Sequence, residues 1–510
     1  MARYRPCDTS QKRLIPVDLK AQLSPGTLEF AIHTLVEERL DTSIFDCRYR
    51  NDLTGCAAYD PKMLLKIVLL AYSRGIVSSR KIERACRENV TFMALSTAQV
   101  PDHSTLAAFV SSMKDQIHPL FVQVLLVCEE MRLLGGTTFA LDGVKLPSNA
   151  AKECSGTFED LRKKKEKIER KVREKIEEQL KADKREAGES GTRTDEKKRE
   201  QQIEKLRRKA EKIERFLEEN TPKPGKSGRE LKSNTTDNDS AKMLTSHGAI
   251  QGYNGQGLVD SKHQVIVSAE AFGSGQDNEH LAPLVDLAKE NLQGVGYPEE
   301  HLEGKVLSAD ANYHSEPNLK RCAEEKLDAY IPDVNFRKRD PRFASQGRHK
   351  PESKKEKFGL EDFRYDAQKD EFICPAGRVL KLEARNIPNK KRIYNRYEAL
   401  DCSGCALKDQ CIKSERKKVR RYLLVTVETV SSKLSKQMIE KIDTEQGRKL
   451  YAKRLAIVEP VFANLRTQKR LDRFTLRSKV NIQWLLYCMV HNVEKIAHLG
   501  CLGKEAMTAG

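Results

Sequence analysis

The sequence predicts a mixed α/β protein with helical units attached to it. Between residues 134 and 335, short apolar runs alternate with stretches of helical periodicity, which is the pattern of strands with interleaved helices. Helical periodicity dominates the region before this segment and the last segment of the chain. With 510 residues, the chain exceeds what one hydrophobic core usually organises. We therefore expect roughly three or four structural units.

The N-terminal region is expected to be a set of short helices. Pro61 opens an apolar helix that Gly75 ends, Ser78 or Ser79 can cap the next helix, and Asp102 can cap a third. Short capped helices can form a DNA-binding unit that resembles a helix-turn-helix, and its basic contacts would be Arg80, Lys81, Arg84 and Arg87. A helical bundle that serves packing alone is the alternative.

Residues 157–220 carry two apolar stripes at spacings of three, four and seven, which predict two long helices. A glycine-containing break at 188–191 separates the stripes and favours an antiparallel hairpin inserted into another unit. One long dimeric coiled coil is the alternative. Charges of both signs alternate here, so we expect a solvated surface and no catalysis.

The remaining core elements follow in order along the chain. An apolar run ends at Asp142, residues 252–260 and 264–270 form a β-hairpin, and a helix covers 281–292. A further strand ends at Asp310, followed by a helix over 316–326 and a short strand over 329–331. This gives about five strands with interleaved helices.

Three acidic residues are the candidate catalytic groups. Asp142 and Asp310 each terminate an apolar run, where side chains point off the carboxyl edge of a sheet, and Glu459 lies in a helical stretch. Carboxylates at this density suit Mg²⁺ or Mn²⁺, and paired ions can activate an attacking hydroxyl at a phosphodiester. A small residue after each aspartate would leave space for an ion and a phosphate. Taken alone, each aspartate would more often be a turn or cap residue than a metal ligand.

The charge of the chain favours a polyanionic partner. Lysine and arginine number 92 against 74 aspartates and glutamates, which gives a net charge of +18 and an isoelectric point near 9.2. Nucleic acid is the natural candidate. The sequence has neither the apolar segment of a signal peptide nor a membrane-length apolar run, so a cytoplasmic protein is expected.

Four of the 13 cysteines are clustered. Cys374, Cys402, Cys405 and Cys411 include a Cys-x2-Cys pair in a basic stretch, and four thiolates satisfy tetrahedral Zn²⁺. We expect structural zinc, with chance clustering of reduced thiols as the alternative. The other nine cysteines are scattered singly and are expected to be small buried apolar residues.

Several of these residues together resemble the DDE transposases of bacterial insertion sequences. The resemblance rests on segments spread over most of the chain: Tyr4-Arg5-Pro6, residues 78–82 and 101–105, Tyr253-Asn254 to Asp260, residues 309–313, and the spacing Tyr451-x2-Arg454-x4-Glu459-x6-Arg466. The gap between Arg454 and Glu459 is one residue longer than in the usual signature, and Arg466 stands where lysine is usual.

The resemblance implies a ribonuclease-H-like catalytic core with Asp142, Asp310 and Glu459 as its metal-binding triad. It also implies that Tyr451, Arg454 and Arg466 contact transposon-end DNA, and Arg470 extends the same basic region. The expected domains are a helical DNA-binding domain (1–133), the first part of the core (134–156), a helical-hairpin insertion (157–232), further core elements (233–335), a basic insert carrying the four clustered cysteines (336–440) and C-terminal helices completing the core (441–500).

The function expected on this basis is Mg²⁺-dependent cleavage and strand transfer of the terminal inverted repeats of an insertion sequence. The partners would be double-stranded end and target DNA, bound by a homodimer in the bacterial cytoplasm at the nucleoid. Two alternatives are a zinc-stabilised DNA-binding protein that has lost catalysis and a ribonuclease-H-like nuclease directed by DNA structure.

Overall fold

The computed structural model describes residues 18–49, 57–186, 193–225, 228–246, 248–343, 357–389, 392–412, 420–426 and 430–500. Tyr4, Arg5, Pro6 and the glycine-containing break at 188–191 therefore lie outside the described residues. These form two compact units: a first unit within 1–313, 325–329 and 452–510, and a second unit within 314–324 and 330–451. None of the helices in the described part of the chain is long and apolar enough to cross a membrane.

The N-terminal part of the first unit is helical, as expected from its sequence. Its helices are α1 (Leu28–Thr34), α2 (Pro61–Ser73), α3 (Ser79–Glu88), α4 (Val90–Leu95), α5 (His103–Ser111) and α6 (Ile117–Glu130). Pro61 occupies the first turn of α2, and Gly75 just beyond the helix has φ +69°. Asp102 accepts the backbone N–H groups of Ser104 and Thr105. These three end signals are confirmed, while the Ser78 side chain makes no capping bond to α3.

A six-stranded mixed sheet forms the centre of the first unit. Its strands are β1 (Thr138–Pro147), β6 (Ala241–Thr245), β7 (Gly248–Asp260), β8 (Ile266–Phe272), β9 (Val306–Ser308) and β10 (Asp328–Tyr330). The order is β10, β9, β1, β7, β6, with β8 also paired to β7. Strand β1 is antiparallel to β7 and parallel to β9. The mixed α/β class and the hairpin of β7 and β8 are confirmed.

Four short strands and two helices join or cover this sheet. The strands are β2 (Ser155–Gly156), β3 (Lys223–Pro224), β4 (Glu230–Leu231) and β5 (Ser233–Asn234), which form two small ladders, and the helices are α9 (Leu281–Gly294) and α15 (Val480–Leu499). The side chain of Trp484 on α15 is fully buried over Gly255, where an added Cβ would lie 3.1 Å from the indole ring. The absence of a side chain at Gly255 lets α15 approach the sheet closely.

Two long helices project from the first unit between β2 and β3. These are α7 (Phe158–Glu186) and α8 (Arg193–Glu219). The rings of Phe158 and Phe216 are 6.1 Å apart, and Lys165, further along α7, pairs with Glu214 of α8. Because the start of α7 contacts the end of α8, the helices are antiparallel. The hairpin prediction is confirmed, and the single long coiled coil is wrong.

The second unit contains a five-stranded antiparallel sheet that the sequence did not predict. Its strands, in spatial order, are β11 (Arg364–Asp366), β12 (Glu371–Ile373), β13 (Val379–Asn389), β14 (Arg392–Ala399) and β15 (Tyr422–Thr426). The helices of this unit are α10 (Glu316–Glu324), α11 (Phe336–Arg339), α12 (Lys408–Cys411) and α13 (Val430–Asp443). Helix α14 (Glu445–Ala463) begins in the second unit and ends in the first.

Candidate active site

Strands β1 and β9 place the first two candidate acids beside each other. Asp142 lies in the middle of β1, opposite Gly257 of β7, and the strand continues to Pro147. The expectation that the strand ends at Asp142 is therefore wrong. Strand β9 pairs with β1 only as far as Ala140, and Asp310 follows two residues after β9 ends. The two aspartates consequently meet where the edge of β1 becomes free.

The carboxylate of Asp142 is held by two donors. Nη1 of Arg454 donates to its Oδ2 at 3.0 Å, and the backbone N–H of Gly143 donates to its Oδ1 at 2.9 Å. The Arg454 side chain is only 9% exposed, so the ion pair is shielded from solvent on one side. Arg454 thus fixes the orientation of Asp142 from a helix that lies 312 residues further along the chain.

The glycine after Asp142 is required by a neighbouring side chain. Gly143 lies opposite Gln256, and a Cβ at Gly143 would be 2.1 Å from Nε2 of Gln256. The Gln256 side chain is fully buried and accepts a hydrogen bond from the hydroxyl of Tyr313. The small residue was expected to leave space for an ion, whereas Gln256 fills this space.

Asp310 is oriented by the turn that follows it. The backbone N–H of Asn312 donates to Asp310 Oδ1 at 2.8 Å, and its side-chain amide donates to Oδ2 at 3.3 Å. Burial raises the pKa of Asp310, and the charges of Asp142 and Asp277 raise this pKa further, against the opposing effects of Asn312 and Arg454. A bound cation would favour the ionised form of these crowded carboxylates.

The two aspartates line an open cleft of about 420 Å³. A further acid, Asp277, lines the same cleft. The lining residues are Asp142, Gly143, Val144, Lys145, Leu146, Pro147, Thr245, Ser246, Ile250, Asp277, Asp310, Asn312, Tyr313, Arg466 and Asp472. Asp277 was not among the site residues predicted from the sequence. It follows the end of β8 by five residues, so the rule that selected the other aspartates, an acid just beyond a strand, could have found it.

Glu459 stands apart from this arrangement. It is exposed on α14 and is not among the residues that line the cleft. Glu459 follows Arg454 by five residues, which turns its side chain roughly 140° around the helix from the one that bonds Asp142. Among the described residues, no group of three or more His, Cys, Asp or Glu side chains is arranged to hold a metal ion.

Arg466 does not lie on helix α14 with Glu459. Helix α14 ends at Ala463, and Arg466 lies in the π-helical turn Asn464–Gln468 that follows it. A π-helical turn holds more residues than an α-helical one, so it shifts the angular position of every later side chain. Arg466 therefore lines the cleft while Glu459 faces solvent.

The other candidate DNA contacts lie in three places. Four basic side chains are exposed on α3: Arg80, Lys81, Arg84 and Arg87. Arg470 is exposed in the first unit beside Gly75. Tyr451, in the second unit, packs edge-on against Phe336 at 5.3 Å.

The four clustered cysteines line one small cavity in the second unit. The backbone N–H of Arg378 donates to Sγ of Cys374 at 3.3 Å, and that of Arg421 donates to Sγ of Cys402 at 3.4 Å. Cys405 and Cys411 complete the cluster. The four cysteines that are clustered in the sequence therefore also lie close together in the structure. Among the described residues, however, the four thiols are not arranged as a preformed metal site.

Two family comparisons identify the chain. A transposase domain of the DUF772 family matches residues 17–112, and the transposase DDE domain matches residues 373–497. Together, the two matches support a DDE transposase. The first match covers helices α1 to α5 of the transposase, and the second covers the cysteine cluster, Glu459 and most of α15. A search of curated proteins finds no significant match.

The family assigns the activity of this transposase at a general level. It is a polynucleotidyl transferase or nuclease type of enzyme that uses divalent metal and acts on DNA. Asp142 and Asp310 lie outside both matched segments. Their position in one cleft therefore comes from the structure alone and not from the domain matches.

Proposed function

We propose that the transposase cleaves and joins DNA ends in the cleft of Asp142 and Asp310, with Mg²⁺ or Mn²⁺ held by these two residues and Glu459. The observation that carries this proposal is the convergence of two carboxylates from adjacent strands in an open cleft. Divalent ions bound there supply activation of the attacking hydroxyl and neutralise charge on the phosphate. Oxygen donors of this type suit both ions.

Protein groups already orient the two aspartates for this task. Arg454 and the Gly143 N–H hold both oxygens of Asp142, and Asn312 holds both oxygens of Asp310. Carboxylates fixed in this way lose little freedom when they bind a ligand, which favours tight binding. Glu459 is exposed on α14, so it would need to move toward the two aspartates when DNA binds.

The mixed sheet supports a ribonuclease-H-like core for this transposase. Two candidate acids lie at adjacent central strands, and helices α9 and α15 contact the sheet. On this proposal, the hairpin of α7 and α8 and the segment 336–440 are insertions into the core, and residues 1–133 form a DNA-binding domain.

The exposed basic residues are the proposed DNA contacts. Arg80, Lys81, Arg84 and Arg87 would bind the duplex through one face of α3. Arg466 would contact the DNA strand in the cleft. Arg470, Tyr451 and Arg454 are near Arg466 in sequence and are proposed as further DNA contacts. A homodimer would hold two transposon ends together, and binding to chromosomal DNA would place the protein at the nucleoid.

Cleavage of end DNA by acid variants tests the metal proposal. The substrate is duplex DNA carrying the inverted repeats that flank the gene, incubated with Mg²⁺ or Mn²⁺. Asp142→Asn and Asp310→Asn should retain DNA binding and lose cleavage. Glu459→Gln should also lose cleavage, whereas Glu445→Gln, an exposed position on the same helix, should cleave normally. Strand cutting that survives Asp142→Asn would refute the assignment.

We further propose that the four cysteines bind structural zinc. The cavity they line and the two N–H groups that point to Cys374 and Cys402 support this. Four thiolates leave no open coordination position, so the ion would stabilise the second unit and take no part in catalysis. Purified protein should contain one zinc per chain, and Cys405→Ser should lower that content, while Cys154→Ser should not. Full-length protein that is zinc-free and equally stable would contradict the proposal.

A further inference from the structure

Beyond Ala140, one edge of strand β1 has no strand partner among the described residues. We call this the free edge; it ends at Pro147, whose carbonyl accepts the backbone N–H of Phe474. Strand β9 reaches only Ala140, while β7 pairs with the opposite edge as far as Pro147. The residues of β1 from Asp142 to Pro147 all line the cleft. Side chains of a strand alternate between the two faces of a sheet. At this free edge, however, both Asp142 and Lys145 border the cleft, although they lie on opposite faces.

Lys145 brings a positive charge next to the acids. Its Nζ lies 3.0 Å from Oδ2 of Asp277, and its side chain is 24% exposed. Among the residues that line the cleft, the lysines and arginines are Lys145 and Arg466, against four aspartates. A DNA strand that enters this cleft meets the carboxylates, so these two cations are the groups able to offset the repulsion of its phosphates.

Asp277 collects donors from three separate parts of the fold. Its Oδ1 accepts from the side-chain amides of Asn254 at 2.6 Å and Gln256 at 3.2 Å, both on β7. Its Oδ2 accepts from Lys145 on β1 and from Asn312 at 3.3 Å, which also bonds Asp310. A carboxylate has about four acceptor positions, and four protein donors use them here. Asp277 therefore fixes the positions of these four donor side chains. A metal ion that bound Asp277 would have to displace at least one of them.

We propose that Lys145 binds a phosphate of the DNA strand lying along the free edge of β1, and that Asp277 is the positioning residue that keeps the Lys145 ammonium in the cleft. This inference rests on the proposed function of the cleft. An ammonium has three donors, so Lys145 can keep its bond to Asp277 and donate to a phosphate oxygen at the same time. The pair thus adds a phosphate contact on the face of the sheet opposite to that of Asp142.

Binding of precut end DNA tests the contact without requiring catalysis. Affinity is measured at several salt concentrations, in the absence of divalent metal, for Lys145→Met, Lys145→Arg, Asp277→Asn and the control Lys320→Met. Lys320 is an exposed lysine that pairs with Glu324. Loss of one phosphate contact should lower the slope of log affinity against log salt by about 0.9 in Lys145→Met. Lys145→Arg and the control should keep the slope of the original protein.

Single-turnover cleavage at varied Mg²⁺ then separates positioning from metal binding. We expect Lys145→Met to cleave on the order of tenfold more slowly, as for loss of one charged contact. Asp277→Asn should show a weaker defect in the same direction with an unchanged Mg²⁺ requirement, and thermal unfolding checks that each variant is folded.

Three outcomes are distinguishable in this experiment. An unchanged salt slope and cleavage rate in Lys145→Met would overturn the phosphate contact, and this test remains valid even if Asp277→Asn fails to fold. A raised Mg²⁺ requirement in Asp277→Asn with normal DNA binding would make Asp277 a metal ligand and overturn its positioning role. If the unaltered protein cleaves at no metal concentration, the proposed function of the cleft fails first.

Discussion

Gly143→Ala should damage the active site by displacing Gln256. The new Cβ would lie 2.1 Å from Gln256 Nε2, well inside van der Waals contact, so one of the two groups must move by more than about 1 Å. Gln256 is fully buried and has no open space to enter. Movement breaks its bond to Asp277 and its bond from Tyr313.

The cost follows from the two broken hydrogen bonds. A neutral bond contributes about 1 kcal/mol and a bond to a charged acceptor about 2 kcal/mol, so we expect a loss of about 3 kcal/mol. In a unit of this size, that corresponds to a fall in Tm of about 4 °C. Differential scanning calorimetry measures this fall, and cleavage of end DNA should decline with it because Gly143 also donates to Asp142.

A double-mutant cycle identifies the mechanism. Gln256→Ala alone should cost a similar amount, since it removes the same two bonds. The combination Gly143→Ala with Gln256→Ala should cost little more than Gln256→Ala by itself, because the clash no longer exists. Additive losses, or an unchanged Tm in Gly143→Ala, would refute the packing argument.

Three further predictions concern other parts of the transposase. Burial lowers the pKa of His491 to about 3, so the free energy of unfolding should fall by about 1.4 kcal/mol per pH unit as the pH falls from about 6.5 toward 3. His491→Gln should flatten this pH dependence when the free energy of unfolding is measured by urea titration. An identical slope in the variant would contradict the lowered pKa of His491. Arg454→Met removes the partner of Asp142 and should lower the free energy of unfolding by on the order of 2 kcal/mol without metal. Mg²⁺ should then raise the Tm of this variant more than the Tm of the unaltered protein. An equal rise in both proteins would argue against metal binding beside Asp142. Phe158→Ala should destabilise the α7 and α8 hairpin by about 3 kcal/mol and speed its limited proteolysis, while equal digestion rates would mean that its contact with Phe216 contributes little.

Helix signals and strand periodicity were readable in the sequence because they depend on neighbours along the chain. Pro61 and Asp102 marked helix starts correctly, and the stripes of α7 and α8 predicted their hairpin. The five-stranded sheet of the second unit was missed. Its strands β11 and β12 have three residues each, too few to show an alternation. The longer strand β13 does alternate at Leu380 and Leu382, but it lies in a stretch whose basic residues and cysteines indicated an insert without strands.

The sequence by itself determined the class of the protein: a mixed α/β transposase with candidate acids and a cysteine cluster. Only the tertiary structure decided which side chains meet. The early end of β9 frees the edge of β1, and the register of β1 against β7 places Gln256 over Gly143. Arg466, in the π-helical turn after α14, lines the cleft, whereas Glu459 on α14 does not. Such contacts depend on strand order, register and helix phase between distant segments, and local sequence preferences do not specify these quantities.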